Sequence, residues 1–203
     1  MKNSWTGGEA ALPAESGEEN LALAVHRSEP RAFERLMDRY EAPLFSYAHG
    51  ILQNAFDAQE VVQDAFVRAH RALTRQYDAA RCAALALRPW LFKTVRNLCL
   101  NKRRRKGRQL EQPLEAFDDG RIGPFVKQAD LVQREEIDLL RGAIALLPVE
   151  ARELIVLRFM EEMPYGEIAK TVGATEASLR GKVFRSLKLL REALEKKGVA
   201  HAM

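Results

Sequence analysis

The sequence predicts an all-α fold with two small helical domains joined by a flexible linker, the C-terminal one containing a helix-turn-helix. Apolar residues recur at three- and four-residue steps over most of the chain, and no useful length alternates with the period of a strand. This helical pattern stops between residues 107 and 130, where glycine, proline and aspartate accumulate. Positive charge is concentrated in two blocks, one on each side of that gap.

The first domain is predicted over residues 25–106, after a disordered N-terminal tail at 1–24. Its first long helix, at 31–53, follows from one apolar stripe and can bend at Pro43. The stripe comprises Phe33, Leu36, Met37, Tyr40, Leu44, Tyr47, Ala48 and Ile51. A second helix starts at Asp57, which precedes Glu60 by three positions as in a capping box. Its buried stripe comprises Val62, Ala65, Phe66, Ala69 and Leu73.

A third helix starts near Pro89, since proline favours the first helical turn. Its buried edge comprises Leu91, Val95, Leu98 and Lys102. Its opposite edge carries Lys93, Arg96, Asn97 and Arg104. We interpret Trp90 as an aromatic residue that holds the preceding loop on the core, in preference to a base-stacking residue.

The linker is predicted at 107–130, the second domain at 131–196 and a short tail at 197–203. In the second domain, a short helix ends at Gly173, where a tight turn requires tolerance of positive φ. Its inward residues are Ile168, Ala169 and Val172. Thr175 can cap the next helix, and Leu179, Val183 and Leu187 form its buried side. Because Ala169 is small, the two helices can cross closely, which predicts a helix-turn-helix. A helical hairpin without a ligand is the alternative.

Composition excludes several classes of protein. Among 203 residues there are two cysteines, Cys82 and Cys99, too few for a disulfide framework. We find no metal-ligand spacing and no cofactor-binding loop, and no set of acid, base and nucleophile suggests an enzyme. No stretch of about 18 apolar residues predicts a membrane span, and residues 1–30 lack the pattern of a secretion signal. We therefore expect a cytoplasmic protein without membrane insertion.

The charge distribution suggests binding to a polyanion. Nine Lys and Arg residues lie between 88 and 108, while 111–138 holds eight acids and 176–197 is basic again. Basic blocks in two amphipathic helices favour two surfaces that bind nucleic acid. The alternative is that each block is only a solvated helix face.

Several motifs, taken in order, resemble those of the extracytoplasmic-function (ECF) group of the bacterial sigma-70 family. Segments 33–40, 57–66 and 90–97, followed by the basic run 102–106, are similar to sigma domain two. Leu147-Pro148, Arg152-Glu153 and the helix-turn-helix are similar to sigma domain four. The resemblance implies a nonenzymatic initiation factor whose partners are core RNA polymerase, promoter DNA and an anti-sigma factor.

The resemblance also assigns roles to residues. Core polymerase binding is expected of Asp57, Glu60, Gln63 and Asp64. Downstream, minus-ten-like promoter DNA is expected at Lys93, Arg96, Asn97, Arg103, Arg104 and Arg105. The upstream, minus-thirty-five-like element is expected at Ser178, Arg180, Lys182, Phe184, Arg185 and Lys188. The alternative function is a helix-turn-helix regulator that acts without core polymerase, and a helical enzyme of nucleic-acid processing is a further, distinct class.

Overall fold

The computed structural model describes residues 20–109 and 139–196, and these two ranges contain helices and turns but no strand. The all-α prediction is therefore confirmed for the described part of the chain. Residues 1–19, 110–138 and 197–203 lie outside the described residues, so positions 110–130 of the predicted linker and 131–138 of the predicted second domain fall there.

The N-terminal half contains five helices within the range 20–109. They are α1 (Leu21–His26), α2 (Ala32–Leu52), α3 (Ala55–Arg71), α4 (Ala79–Ala83) and α5 (Leu87–Gln109). Helix α2 passes through Pro43 without interruption, and α3 continues into one π-helical turn, Ala72–Gln76. Helices α2, α3 and α5 pack against one another and enclose an apolar core.

The C-terminal half begins, in the described range, with helix α6 at 139–145. It continues with α7 (Val149–Ile155), a π-helical turn (Val156–Met160), α8 (Tyr165–Val172) and α9 (Glu176–Lys196). Gly173 ends α8 with a φ of 74°, the left-handed conformation that the sequence predicts there. The Oγ1 of Thr175 accepts a hydrogen bond from the Ser178 backbone N–H at 3.3 Å, so the predicted cap of α9 is also confirmed.

Three local predictions are corrected by the structure. Helix α1 lies partly in the range assigned to a disordered tail, because Leu21, Ala22 and Ala24 are buried in the core. Helix α3 is capped by Asn54, whose Oδ1 accepts from the Asp57 N–H at 2.8 Å, so Asp57 lies inside the first turn and is not the cap. Helix α5 continues to Gln109, into the predicted linker.

The buried side of α9 is also displaced from the predicted one. Leu179 and Val183 are buried as expected, but Leu187 is 40% exposed. Ser186 and Ala193 are buried in its place, because the stripe continues by a three-residue step after Val183.

The two halves share one apolar core in the described residues. Residues of α7, α8 and α9, including Leu154, Ile168 and Leu179, belong to the same buried cluster as Tyr47 and Phe92 of α2 and α5. A smaller cluster, centred on Ile144 and Leu147, joins α6, α7 and the end of α9. The halves, which the sequence presents as separate domains, are therefore packed directly against each other in this structure.

Candidate functional site

The first candidate surface is the exposed side of α3, which carries the residues expected to bind core polymerase. Gln63 and Asp64 are exposed there. Glu60 is exposed too, although its Oε2 lies 2.6 Å from the Lys102 Nζ of α5. Asp57 is buried to 7% exposure between α3 and α5. The four predicted residues thus share one helix, but only three of them reach the surface.

Asp57 is held by two lysines of the basic run on α5. Its carboxylate lies 3.2 Å from Lys102 Nζ and accepts a short hydrogen bond from Lys106. Burial alone would raise the pKa of Asp57, but these two hydrogen bonds outweigh it and lower the pKa below the ordinary value. Asp57 therefore acts inside the protein, where its ion pairs with Lys102 and with the half-exposed Lys106 hold α3 against α5.

Two apolar side chains on the same surface are missed by the sequence analysis. Phe56 is 76% exposed and Val67 is 62% exposed. Together with Glu60 and Gln63 they follow the spacing of one helix face, at positions 56, 60, 63 and 67. We call this strip the α3 face. The sequence contains an indication of this exposed apolar strip, because Phe56 is an aromatic residue outside the buried stripe of the helix.

The second candidate surface is the polar side of α5. Lys93, Asn97, Arg103, Arg104 and Arg105 are exposed along it. Arg96 differs from them, because its Nε donates to Glu153 Oε1 of α7 at 2.6 Å and its side chain is only 24% exposed. The predicted phosphate-binding set is therefore brought together on one helix, with Arg96 engaged by the other half.

A cleft of about 470 Å³ lies beside this surface, between the end of α3 and α5. It is lined by Arg68, Arg71, Ala72, Gln76, Tyr77, Trp90, Thr94 and Asn97. Trp90 packs edge-on against Tyr77, with ring centroids 6.0 Å apart, and the Arg81 guanidinium carbon lies 3.7 Å from the Tyr77 ring centroid. Aromatic and guanidinium planes beside exposed cations are the usual means of holding an unpaired base. Trp90 also holds the loop before α5, as the sequence analysis expects.

The third candidate surface is the outer side of α9. All six residues predicted there are exposed, Phe184 to 70%. A cation–π contact with α8 helps to orient the Arg180 side chain, because its guanidinium carbon lies 4.9 Å from the ring centroid of Tyr165. Lys182, Arg185 and Lys188 project from the same helix. An exposed helix side with these cations has the chemistry to enter a major groove and to contact flanking phosphates.

A polar cluster joins the two halves where α2, α5 and α7 meet. Tyr47 Oη donates to Glu153 Oε1 at 2.5 Å, and Arg96 donates to the same oxygen. Burial raises the pKa of the Tyr47 hydroxyl well above its ordinary value, with a further contribution from the Glu153 charge. We call these three residues the Glu153 cluster. Arg96 was predicted to contact DNA and Glu153 lies in a family motif, but the spacing of two residues 57 positions apart does not reveal that they pair.

Further contacts surround this cluster. Arg88 of α5 donates to the backbone oxygen of Glu161 and lies 3.7 Å from the Glu167 carboxylate of α8. Thr171 Oγ1 of α8 lies 3.5 Å from the Pro89 backbone oxygen. Burial raises the pKa of the Glu161 carboxyl to about 7, although Arg88 and a hydrogen bond from Ser46 oppose the shift.

Neither a metal site nor a membrane span is found among residues 20–109 and 139–196. Cys82 and Cys99 are both buried, and burial raises the pKa of the Cys99 thiol to about 12. That thiol is protonated at neutral pH, which makes it a poor nucleophile.

Comparisons with known proteins match both halves. The family model of Sigma-70 region 2 matches residues 36–109, and that of Sigma-70, region 4 matches residues 137–190. The chain is 30% identical to the ECF RNA polymerase sigma factor SigM of Mycobacterium tuberculosis, over 81% of this chain and 78% of the relative. It is 28% identical to the ECF RNA polymerase sigma-E factor of Escherichia coli, over 87% of this chain and 92% of the relative.

A solved structure has the same fold. The sigma factor RpoE, in complex with the anti-sigma factor NepR from Bartonella quintana, aligns with a TM-score of 0.64 at 21% identity. The alignment covers 81% of this chain and 98% of that chain. The two-part helical architecture is thus shared along almost the whole length of that protein.

Proposed function

The chain belongs to the ECF group of the sigma-70 family, and on that premise we propose which of its surfaces perform each step of transcription initiation. It is an alternative-type sigma factor that binds core RNA polymerase and directs promoter recognition and DNA melting, and it is not an enzyme. We assign these activities to the two domains predicted from sequence at 25–106 and 131–196, with the first widened to residues 20–109 to include all of α1 and α5. We further propose that it acts in the cytoplasm.

The α3 face is the proposed docking surface for core polymerase. It combines the polar groups of Glu60 and Gln63 with the exposed Phe56 and Val67, and the exposed Asp64 adds a second acid beside it. An apolar anchor surrounded by polar groups is what a protein interface requires, and acids suit a basic partner helix. Asp57 supports this surface from inside, because its lysine pairs hold α3 on α5.

The polar side of α5 is the proposed contact for the downstream element. Arg103, Arg104 and Arg105 supply cations for phosphates, together with Lys93. The Tyr77–Trp90 cleft is the proposed place for a base that leaves the stack on melting, since an aromatic surface offsets the lost stacking. Arg96 joins this set only when its bond to Glu153 is released.

The outer side of α9 is the proposed reader of the upstream element. Arg185 and Phe184 project from the middle of the exposed side, and Ser178, Arg180, Lys182 and Lys188 flank them. An arginine can donate two hydrogen bonds to a guanine edge in the major groove. We also propose that an anti-sigma factor binds this chain, because the RpoE homologue is solved in complex with one.

One observation supports this assignment most strongly. Two exposed basic helices, α5 and α9, lie in separate halves of one chain, each within a segment that matches a sigma-70 region model. A regulator that binds DNA without polymerase needs only one such helix and no α3 face.

The test is a transcription assay with purified core polymerase and a library of random promoter fragments. We expect the chain to produce transcripts whose start sites share two sequence elements, while core polymerase alone produces none. A variant with Gln63→Arg and Asp64→Arg should lose core binding, whereas Glu192→Arg, on an exposed site of α9, should retain it. A chain that binds DNA but supports no transcript would indicate the helix-turn-helix regulator instead.

A further inference from the structure

One arginine of helix α7 is buried without a counter-charge. Arg152 is only 8% exposed. Its Nη1 donates a hydrogen bond to the Ala145 backbone oxygen at the end of α6, over a distance of 3.2 Å. Its Nε is also buried, and it has no hydrogen-bond partner among the described residues. The guanidinium therefore has one contact to a backbone oxygen and an unused donor inside the protein.

The acids that lie near Arg152 in the chain do not balance its charge. Glu153 follows Arg152 directly, but its carboxylate belongs to the Glu153 cluster and pairs with Arg96. Glu150 is exposed to solvent on the same helix. Neither carboxylate forms an ion pair with Arg152. In the described part of the chain, Arg152 is thus a buried cation without an acid partner.

The charged side chains around Arg152 add to its positive charge. Burial lowers the pKa of Arg152, and the charge of Arg103 on α5 lowers that pKa further. Burial also lowers the pKa of His49 on α2, and the charges of Arg141 and Arg152 add to this effect. Basic side chains from α2, α5, α6 and α7 therefore gather at one place, and none of them neutralises Arg152.

Helix packing explains why these side chains converge. Arg152 lies one turn before Val156, and a Cβ placed at Gly50 of α2 would lie 3.0 Å from Val156 Cγ2. His49 adjoins Gly50, so it belongs to the same contact between α2 and α7. The Glu153 cluster fastens α5 to this stretch of α7. The backbone of Arg152 is therefore held in place by contacts that do not involve its guanidinium.

An arginine cannot relieve such a site by losing its proton. A buried lysine or histidine becomes neutral when its surroundings disfavour the charge, but a guanidinium stays protonated in proteins. A buried charge without a partner destabilises the folded state, and one backbone oxygen carries only a partial negative charge. An anion beside the unused donor of Arg152 would supply the missing charge.

The donor geometry and the surrounding charges favour a phosphate group. A guanidinium presents Nε and one Nη as a fixed pair of donors, which matches two oxygens of a phosphate or carboxylate. The neighbouring cations favour the anion with the higher charge, and a phosphate monoester carries nearly two charges at neutral pH. We propose that the chain binds the phosphate group of a small molecule at Arg152, with Arg103 and His49 beside it. This inference does not rest on the proposed function.

Equilibrium dialysis of the full-length chain against labelled inorganic phosphate tests the proposal without polymerase or promoter DNA. At fixed pH and chloride concentration, we expect saturable binding of one phosphate per chain. Arg152→Met should bind phosphate at least about tenfold more weakly, because it removes both the charge and the paired donors. Lys170→Met, which removes an exposed cation from α8, is the matched control and should bind like the natural chain.

Competition identifies the source of the phosphate group. If adenosine triphosphate displaces the labelled phosphate at a lower concentration than unlabelled phosphate does, a nucleotide is the ligand class. If unlabelled phosphate is the stronger competitor, the ligand is inorganic phosphate. Either order of displacement supports a phosphate site at Arg152.

Two results would overturn the proposal. The first is the absence of saturable phosphate binding by the natural chain. The second is equal binding by the natural chain and Arg152→Met, which would place the phosphate on other cations. Arg152→Lys keeps the charge but lacks the paired donors, so it should also bind weakly, and it provides the comparison if the methionine variant fails to fold.

Urea unfolding separates a phosphate site from a purely structural role of Arg152. In phosphate-free buffer, Arg152→Met should be at least as stable as the natural chain, because it removes an uncompensated buried charge. Phosphate should then raise the unfolding midpoint of the natural chain more than that of Arg152→Met. If Arg152→Met is much less stable without phosphate, and phosphate raises both midpoints equally, Arg152 only caps α6 and the proposal is wrong.

Discussion

Glu153 and Arg96 lie 57 positions apart in the chain, yet the Arg96 Nε and a Glu153 carboxylate oxygen are 2.6 Å apart. At the scale of single residues, charged side chains at several functional positions pair with a partner on another helix. Lys102, which the sequence places on the buried edge of its helix, pairs inside the N-terminal half with Asp57, which was expected to bind core polymerase. Helical periodicity determines the side of a helix on which a residue lies, but the partner on a second helix is determined by packing.

Two glycines of the helix-turn-helix should respond oppositely to the same substitution. Gly173 has a φ of 74°, so Gly173→Ala should lower the free energy of unfolding by roughly 1–2 kcal/mol. Gly181 lies inside α9, and an added Cβ would meet only Arg185 Nη1 at 3.7 Å, so Gly181→Ala should raise it by about 0.5–1 kcal/mol. Urea unfolding of the full chain measures both values. Equal effects of the same sign would contradict the structure of this turn.

Glu161 should make the stability of the chain depend on pH. Burial raises the pKa of its carboxyl to about 7 from an ordinary 4.5, so the folded chain holds this proton more tightly than the unfolded chain does. The resulting stabilisation is present at low pH and is lost as the pH rises from about 4.5 to about 7. His49 has an opposite influence below its ordinary pKa of 6.5, because burial, with Arg141 and Arg152, lowers its pKa.

A comparison with Glu161→Gln removes the contribution of His49, which both proteins share. The free energy of unfolding of the natural chain minus that of the variant should fall between about pH 4.5 and pH 7 and then stay constant. Chemical unfolding at a series of pH values measures this difference. A difference that is flat across the window would show that Glu161 titrates as an exposed carboxyl.

At the scale of helices, periodicity predicted most of the fold correctly. The stripe at 31–53 corresponds to α2 at Ala32–Leu52, and the turn at Gly173 was placed from residue type alone. Helix ends were predicted less well, because one hydrogen bond decides them. Asn54, and not Asp57, provides the side-chain oxygen that starts α3. Helix α1 was missed because six residues are too few to establish a period.

The outer side of α9 should discriminate between promoter sequences. If Arg185 reads a base edge, Arg185→Ala should cost about 1–3 kcal/mol on particular upstream elements and little on others. Arg180 and Arg185 are five positions apart, so the two side chains cannot point identically into one groove. Competition binding of the polymerase complex across a set of upstream variants measures the pattern. A uniform loss on every sequence would show that Arg185 contacts only phosphate.

The basic run on α5 should act without regard to sequence. Replacing Arg103, Arg104 and Arg105 by Ala should weaken binding on all promoters and reduce the salt dependence by about 0.7–0.9 per lost phosphate contact. Lys102 and Lys106 are left unchanged because they hold Asp57. Core polymerase affinity should be preserved, since the α3 face is intact. A loss of core binding with an unchanged salt slope would place polymerase, and not DNA, on this helix.

At the scale of the whole molecule, the sequence predicted two helical halves but not the contact between them. Leu157 and Ile168 lie on apolar stripes that a separate C-terminal domain would also need, so nothing in their spacing reveals that they pack on α2 and α5. The close approach of Gly50 to Val156 could not be predicted either, because the two residues are more than 100 positions apart in the chain. The α5 and α9 surfaces were predictable because both depend on the exposed side of a single helix.

The central claim is that this chain and core polymerase recognise a promoter together. Its most direct test is the fluorescence anisotropy of a labelled promoter duplex, titrated at one fixed salt concentration with the chain alone, with core polymerase alone and with both. The promoter would be one selected in the transcription assay, and a scrambled duplex would serve as the control. We predict tight, sequence-dependent binding only when both proteins are present. Equal affinity for the chain alone, with no gain from core polymerase, would contradict the account.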